Sequence, residues 1–221
     1  MMLKRSALYL CTFLALLSMK LYAQDNKVEA IAANELSAKL KSIQTFTASF
    51  EQSLTDPSGG EIQPSSGVLK VKNPGLFYWH VSLPYEQLVV ANQHSLWVYD
   101  PDLEQATVSD RRSLDNSPAQ ILSGDFSSLG ETFAVTVTQI EQKARYTLET
   151  LDLNASTFTQ LVFEFTYDSK HENEQLASMS LVDKLGQVTA VTFSDQQLNT
   201  ELPSSIFDFV APEGVDIITN E

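Results

Sequence analysis

Apolar residues fall along this chain in three successive rhythms, and each predicts a different element. An unbroken apolar run from Ala7 to Leu17 follows Lys4 and Arg5 and gives way to a small-residue exit at Leu21-Tyr22-Ala23. That is the pattern of a secretory signal peptide over residues 1–23, too short for a membrane anchor, which needs about 20 apolar residues. From Val28 to Ile43 the apolar positions Val28, Ile31, Ala32, Leu36, Leu40 and Ile43 recur every three or four residues, behind the cap candidates Asp25 and Asn26. This spacing predicts an amphipathic helix. The period then drops to two: Phe46, Ala48, Phe50 and Leu54 alternate with Thr45, Thr47, Ser49, Glu51 and Ser53 up to the turn "DPSGG". A strand with one buried face follows from that alternation.

The two-residue rhythm then repeats over 66–72, 76–83, 86–91, 95–99, 103–108, 132–140, 144–151, 158–168, 176–183 and 187–194, with Gly, Pro, Asn or Asp between the segments. About eleven strands are expected, mostly joined by two to six residues and therefore antiparallel. Two stretches break the meander. In "DRRSLDNSPAQILSGDFSSLG", 110–130, Ser117 and Pro118 read as N-cap and first residue of a short helix. "LPSSIFDFVAPEGV", 202–215, reads as a short helical or extended piece and then a Pro-Glu-Gly turn. The fold class is mainly β with helices, an incomplete antiparallel barrel, and residues 24–221 are expected to form one domain.

A sheet of this width has a concave face that its own side chains cannot fill. Leu36 and Leu40 of the first helix, with Ile121 and Leu122 of the 110–130 insert, are the apolar helical residues available. They either complete an ordinary core or form a lid over an apolar cavity.

Charge and chemistry narrow the function. Removing Lys4, Arg5 and Lys20 with the signal leaves 11 basic residues against 28 acidic ones, a balance that excludes nucleic acid as a partner. It favours a soluble monomer. Cys11, the only cysteine, lies in the signal, so the mature chain has no disulfide and no thiol. An exported chain of that kind suits a bacterial periplasm. No nucleophile elbow, zinc-binding His pair or phosphate loop is present, and His80, His94 and His171 are scattered. The pairs Asp100/Asp102 and Glu172/Glu174 read as polar surface. Neither catalysis nor a cofactor is expected.

Five segments together resemble a known family: "TFTASFEQSLTDPSGG" (45–60), "GVLKVKNPGLFYWH" (67–80), "SLWVYDPDLEQAT" (95–107), "SPAQIL" (117–122) and "FDFVAPEGVDI" (207–217). In order and spacing they are similar to the periplasmic outer-membrane lipoprotein carriers, the LolA family. The resemblance implies an incomplete barrel with a helical lid over an apolar cavity. It implies a carrier that receives acylated lipoproteins from an inner-membrane ABC-type releasing complex and delivers them to an outer-membrane receptor lipoprotein. By the same resemblance Leu40, Phe46, Phe50, Leu69, Phe77, Trp79, Ile121 and Leu122 would bind acyl chains, with Tyr78 and His80 on the outside. The family places an arginine before the proline, as a latch on the lid; here Asn73 stands there, with one amide in place of five donors and a charge. Lys72 is a poor substitute, because adjacent strand residues point to opposite faces. A lipid-sensing domain of an envelope-stress regulator has a similar half-barrel, but it ordinarily continues into a further domain, whereas this chain stops soon after "APEGVDIITNE".

Overall fold

The computed structural model describes residues 29–114, 122–124, 129–154, 156–168 and 173–220. Residues 29–42 form helix α1, as the three-and-four spacing predicts. Its buried face is Ala32, Ala33, Leu36 and Leu40, while Ile31 points away and is exposed. Burying Leu36 and Leu40 contributes about 2 kcal/mol each relative to leaving them in water. Such packing, more than propensity, holds a helix of this length.

The eleven expected strands are all present: β1 (Thr45–Thr55), β2 (Ser65–Lys72), β3 (Leu76–Leu83), β4 (Gln87–Ala91), β5 (Ser95–Asp100), β6 (Gln105–Asp110), β7 (Phe133–Ile140), β8 (Lys143–Thr150), β9 (Phe158–Asp168), β10 (Asn173–Asp183) and β11 (Val188–Leu198). A twelfth, β12 (Asp216–Asn220), was not expected. They make one open sheet in the order β12-β6-β5-β4-β3-β2-β1-β11-β10-β9-β8-β7. Every neighbour is antiparallel except β12, which pairs parallel with β6. A parallel partner cannot be reached through a hairpin, and here the segment after β11 is the crossover. The 110–130 insert contributes a 3-10 turn (Arg111–Leu114), helical residues 122–123 and helix α2 (Leu129–Thr132). The helix start predicted at Ser117-Pro118, and Ile121 with it, lies outside the described residues.

The sheet's two faces carry separate cores. On the concave face Phe46, Phe50, Leu69, Phe77, Leu148, Phe163 and Phe193 join Leu36 and Leu40 of α1, Leu122 and Leu129 in one buried cluster. On the convex face the even-numbered residues of β3 and β4, Leu76, Tyr78, Leu88 and Val90, pack with Leu202, Ile206, Phe207 and Phe209. The stretch 202–209, containing the 3-10 turn Ser204–Phe207, is thus a strap across the outside of the sheet. Tyr78, expected outside, lies beneath that strap. The reason is visible in the strands themselves, which are apolar on both faces and require two covers.

Candidate functional site

The concave wall is assembled around a glycine. Gly67 of β2 stands opposite Phe50 of β1. A Cβ at Gly67 would lie 1.8 Å from the His80 carbonyl oxygen and 2.9 Å from the Phe50 ring. Without a side chain there, Phe50 can stack on Trp79 with centroids 3.8 Å apart and planes 24° from parallel. Trp79 is nearly parallel to Phe77, at 6.3 Å and 6°. Phe46 meets Phe193 edge-on at 5.5 Å. The result is a row of rings on β1, β3 and β11, all facing inward.

The sequence-selected residues largely gather on this wall. Leu40, Phe46, Phe50, Leu69, Phe77 and Leu122 are buried in the concave cluster, and Trp79 packs against it while partly accessible. Ile121 is outside the described residues. Gly67, Phe163, Phe165 and Phe193 also build the face. Phe163 and Phe165 could have been picked from the inward parity of β9, and Phe193 from that of β11.

α1 is fastened over the wall by polar contacts that spacing could not reveal. The Tyr146 hydroxyl donates to Glu35 Oε1. Lys39 Nζ reaches Glu174 Oε2 at 2.5 Å and lies 5.7 Å from the Phe165 ring centroid. Burial, together with the hydrogen bond to Glu35 and the charges of Glu35 and Glu174, pushes the Tyr146 phenol far above its usual range. Glu174, read from sequence as surface, is therefore an anchor of α1. Near the helix start, α1 and α2 approach closely: a Cβ on Gly130 would be 3.3 Å from the Ala33 Cβ. Beside that contact, Glu29, Ala33, Leu129, Glu131, Phe133 and Leu151 are among the residues lining a cleft of about 520 Å³.

Asn73 sits where β2 has just ended, and it holds the link between α1 and β1. Its Nδ2 donates to the Ile43 carbonyl at 2.7 Å, and its backbone N–H donates to the Gln44 carbonyl at 2.8 Å. Asn199 braces the same junction, accepting from the Gln44 N–H at 2.7 Å and donating to the Ser42 carbonyl at 3.0 Å. The contact to the insert comes two residues further on, where the Gly75 N–H donates to the carbonyl of the fully buried Ser123 at 2.5 Å. Lys72 turns the other way, as strand alternation requires, and its Nζ donates to the Leu202 carbonyl at 2.8 Å and Ser204 Oγ at 3.0 Å. On that outer face His80 Nε2 lies 2.9 Å from Glu86 Oε1, a carboxylate partner that the sequence spacing had not suggested.

No helix among the described residues is long and apolar enough to cross a membrane. Residues 41–210 match the family described as "Outer membrane lipoprotein carrier protein LolA". An "Outer-membrane lipoprotein carrier protein" from Hahella chejuensis is 37% identical over 205 residues, covering 90% of this chain and 93% of the relative. One of the same description from Azotobacter vinelandii is 39% identical over 187 residues, covering 83% and 86%. Among solved structures, an uncharacterised conserved protein from Thermus thermophilus superposes with a TM-score of 0.52 at 9% identity, over 86% of this chain and 99% of the other, which is a likeness of fold. With the family matched over most of its length, the chain belongs to the LolA outer-membrane lipoprotein carrier family.

Proposed function

We propose that residues 24–221 form a single carrier domain that binds the acyl chains of lipoproteins and takes them across the periplasm of a Gram-negative bacterium. It receives them from an inner-membrane ABC-type releasing complex and passes them to an outer-membrane receptor lipoprotein, working as a monomer and performing no chemistry on the cargo. The observation that carries this reading is the inward row of Phe46, Phe50, Phe77 and Trp79 under a helix fastened by the Glu35–Tyr146 and Lys39–Glu174 contacts. A buried methylene is worth about 0.8 kcal/mol, so an acyl chain of about fifteen methylenes brings on the order of 12 kcal/mol that it cannot lose while crossing water. An empty cavity would cost roughly 24 cal/mol per Å³, so an unloaded carrier is most stable with its own helices in that space. Polar fastenings serve such a protein because they can be exchanged for water, letting Leu36, Leu40 and Leu122 give way to cargo. Leu69 completes the floor beneath them.

The test is release of lipoprotein from spheroplasts by the purified protein. Soluble complexes with acylated lipoprotein are expected from the natural chain, and none from Phe77→Glu, which sets a carboxylate among the rings. Failure of the natural protein to solubilise any lipoprotein would overturn the reading. So would full release by a folded Phe77→Glu protein, as regards Phe77 lining the site.

A further inference from the structure

Three hairpins on neighbouring strands hold apolar side chains out into water at one end of the sheet. Leu185 sits in the β10–β11 turn, Ile62 in the β1–β2 loop, and Leu83 and Tyr85 at the β3–β4 turn, all between 53% and 78% exposed. The strands concerned are contiguous in the order β4-β3-β2-β1-β11-β10, so with strands about 4.8 Å apart the tips stand about 10 Å from one another. The first two loops touch, since a Cβ on Gly186 would lie 3.6 Å from Pro57 Cγ. The second and third enclose a cleft of about 520 Å³ walled by Glu61, Pro64, Leu83 and Pro84. Its floor includes Glu51 and Thr192, whose neighbours Phe50 and Phe193 face the concave core, so the cleft lies on the outer side of the sheet. At the opposite end, the turns 73–75 and 92–94 expose no large apolar residue.

Single exposed apolar residues need no explanation, but a group of them rimmed by polar residues marks an interaction surface. The rim here is acidic. Glu51, Asp56, Glu61, Glu86 and Asp183 stand against one basic residue, Lys184. Asp56 and Asp183 accept hydrogen bonds within their own turns, and Glu86 meets His80. The Glu51 and Glu61 carboxylates have no partner among the described residues. From this arrangement we propose that the outer side of this lip is a docking surface for a protein that presents basic side chains beside an apolar patch. Glu51 and Glu61 receive the cations, while Leu83, Tyr85 and Leu185 make the apolar contact. Charge complementarity selects that occupant, because an anionic bilayer or a second copy of this chain would bring negative charge to a negative rim. The proposal rests on the carrier reading, which requires protein partners but does not say where they touch. It puts the partner on the outer side and the cargo on the inner one, so a carrier can be held while its concave face fills or empties.

The experiment measures release of lipoprotein from spheroplasts by the mature protein at limiting concentration, beside binding of a fluorescent fatty acid. Leu83→Ser/Leu185→Ser and Glu51→Lys/Glu61→Lys change only outward or exposed side chains. Each is expected to lower release about tenfold, to regain it at about tenfold higher protein concentration, and to bind the fatty acid as the natural chain does. The natural chain should not float with vesicles of phosphatidylglycerol and phosphatidylethanolamine. Full release by either variant at limiting concentration overturns the docking surface and leaves the carrier reading in place. Flotation that is lost in Leu83→Ser/Leu185→Ser would make the lip a lipid anchor and overturn the protein partner. If the natural chain releases nothing, the carrier reading fails, and the docking surface fails with it.

Discussion

The two faces of the ribbon β2–β3 are both apolar and both covered, but the covers are built on opposite principles. On the concave side, Phe77 and Trp79 meet helical segments fastened by side chains from distant strands and, through Gly75 and Ser123, by one short backbone contact. On the convex side, Tyr78 and Val90 meet a strap whose own rings are the fastening: Phe207 is buried, and Phe209 sits 5.2 Å from Trp97 and 5.5 Å from Tyr99. A cover held by packing gains its stability only in one place. On the concave side the polar contacts can be exchanged for water at small cost, and the buried area of Leu36 and Leu40 is what acyl chains would have to replace. That difference is what the proposed carrier reading requires, with the concave face as the side that would open.

The largest effect should come from attacking the permanent cover. Phe207→Ala removes a ring that is 1% exposed and is expected to cost about 3–5 kcal/mol in urea unfolding. Displacement of a fluorescent fatty acid from the surviving folded fraction should be little changed. If lipid binding fell in proportion to stability, the two faces would be one cooperative unit and the distinction would collapse.

Tyr146→Phe strikes the other cover more gently. The ring stays in the core and only the donation to Glu35 is lost, with Glu35 left partly in water, so the expected cost is about 1 kcal/mol. Binding of an apolar dye by the unloaded protein should rise as α1 loosens. The same variant carries a pH signature. With its phenol raised, folded Tyr146 keeps its proton where an unfolded tyrosine, of pKa about 10, has lost it. The folded state therefore binds more protons above pH 10, and stability falls as pH rises past that point. Tyr146→Phe should remove part of this alkaline loss and leave the part due to Tyr78, also raised by burial and by Glu86. An unchanged alkaline limb would mean that the Tyr146 contact is not made in solution.

These two faces also differ in how readable they are from sequence. The concave wall was legible because alternation in β1 and β3 and the three-and-four spacing of α1 are local, and they point Phe46, Phe50, Phe77 and Leu40 inward without knowledge of any partner. The strap was not, because Leu202, Ile206, Phe207 and Phe209 follow no period. The available signal lay in β3–β5, where Leu76, Tyr78, Leu88, Val90, Trp97 and Tyr99 make the outward positions apolar as well. β12 escaped because all five of its residues are exposed, and backbone pairing with β6 alone defines it. The fastenings of α1 join residues 111 and 135 positions apart, and no spacing rule reaches that far. Asn73 was singled out as a departure from the family, but its grip on the α1 junction needed coordinates.

Lys72→Met tests the boundary between the faces. It keeps most of the apolar stem but removes the donations to Leu202 and Ser204, so the start of the strap should fray at a cost of about 1 kcal/mol. Hydrogen exchange should quicken over 202–206 and not in α1. Quickening in α1 instead would show that the strap also tightens the inner cover, through the 72–75 turn.

The smallest effect concerns the outer face of β8–β10, away from the strap. There Glu164, on β9, accepts from Arg145 Nε at 2.8 Å and from Ser178 Oγ at 3.0 Å, tying β8, β9 and β10 together in the open. The hydrogen bond from Arg145, with that from Ser178, holds its carboxyl below the usual range despite some desolvation. A carboxylate so lowered contributes stability that is fully present above the unfolded value of about 4.3 and is lost as pH falls through the folded one, because the unfolded chain takes up the proton first. Glu164→Gln should therefore flatten the stability profile below pH 4.3 and change little at neutral pH, since Arg145 is largely exposed and water screens the pair. A neutral-pH loss as large as that of Tyr146→Phe would mean that this part of the outer face is also held by a few polar contacts. Lability would then no longer distinguish the side proposed to take cargo.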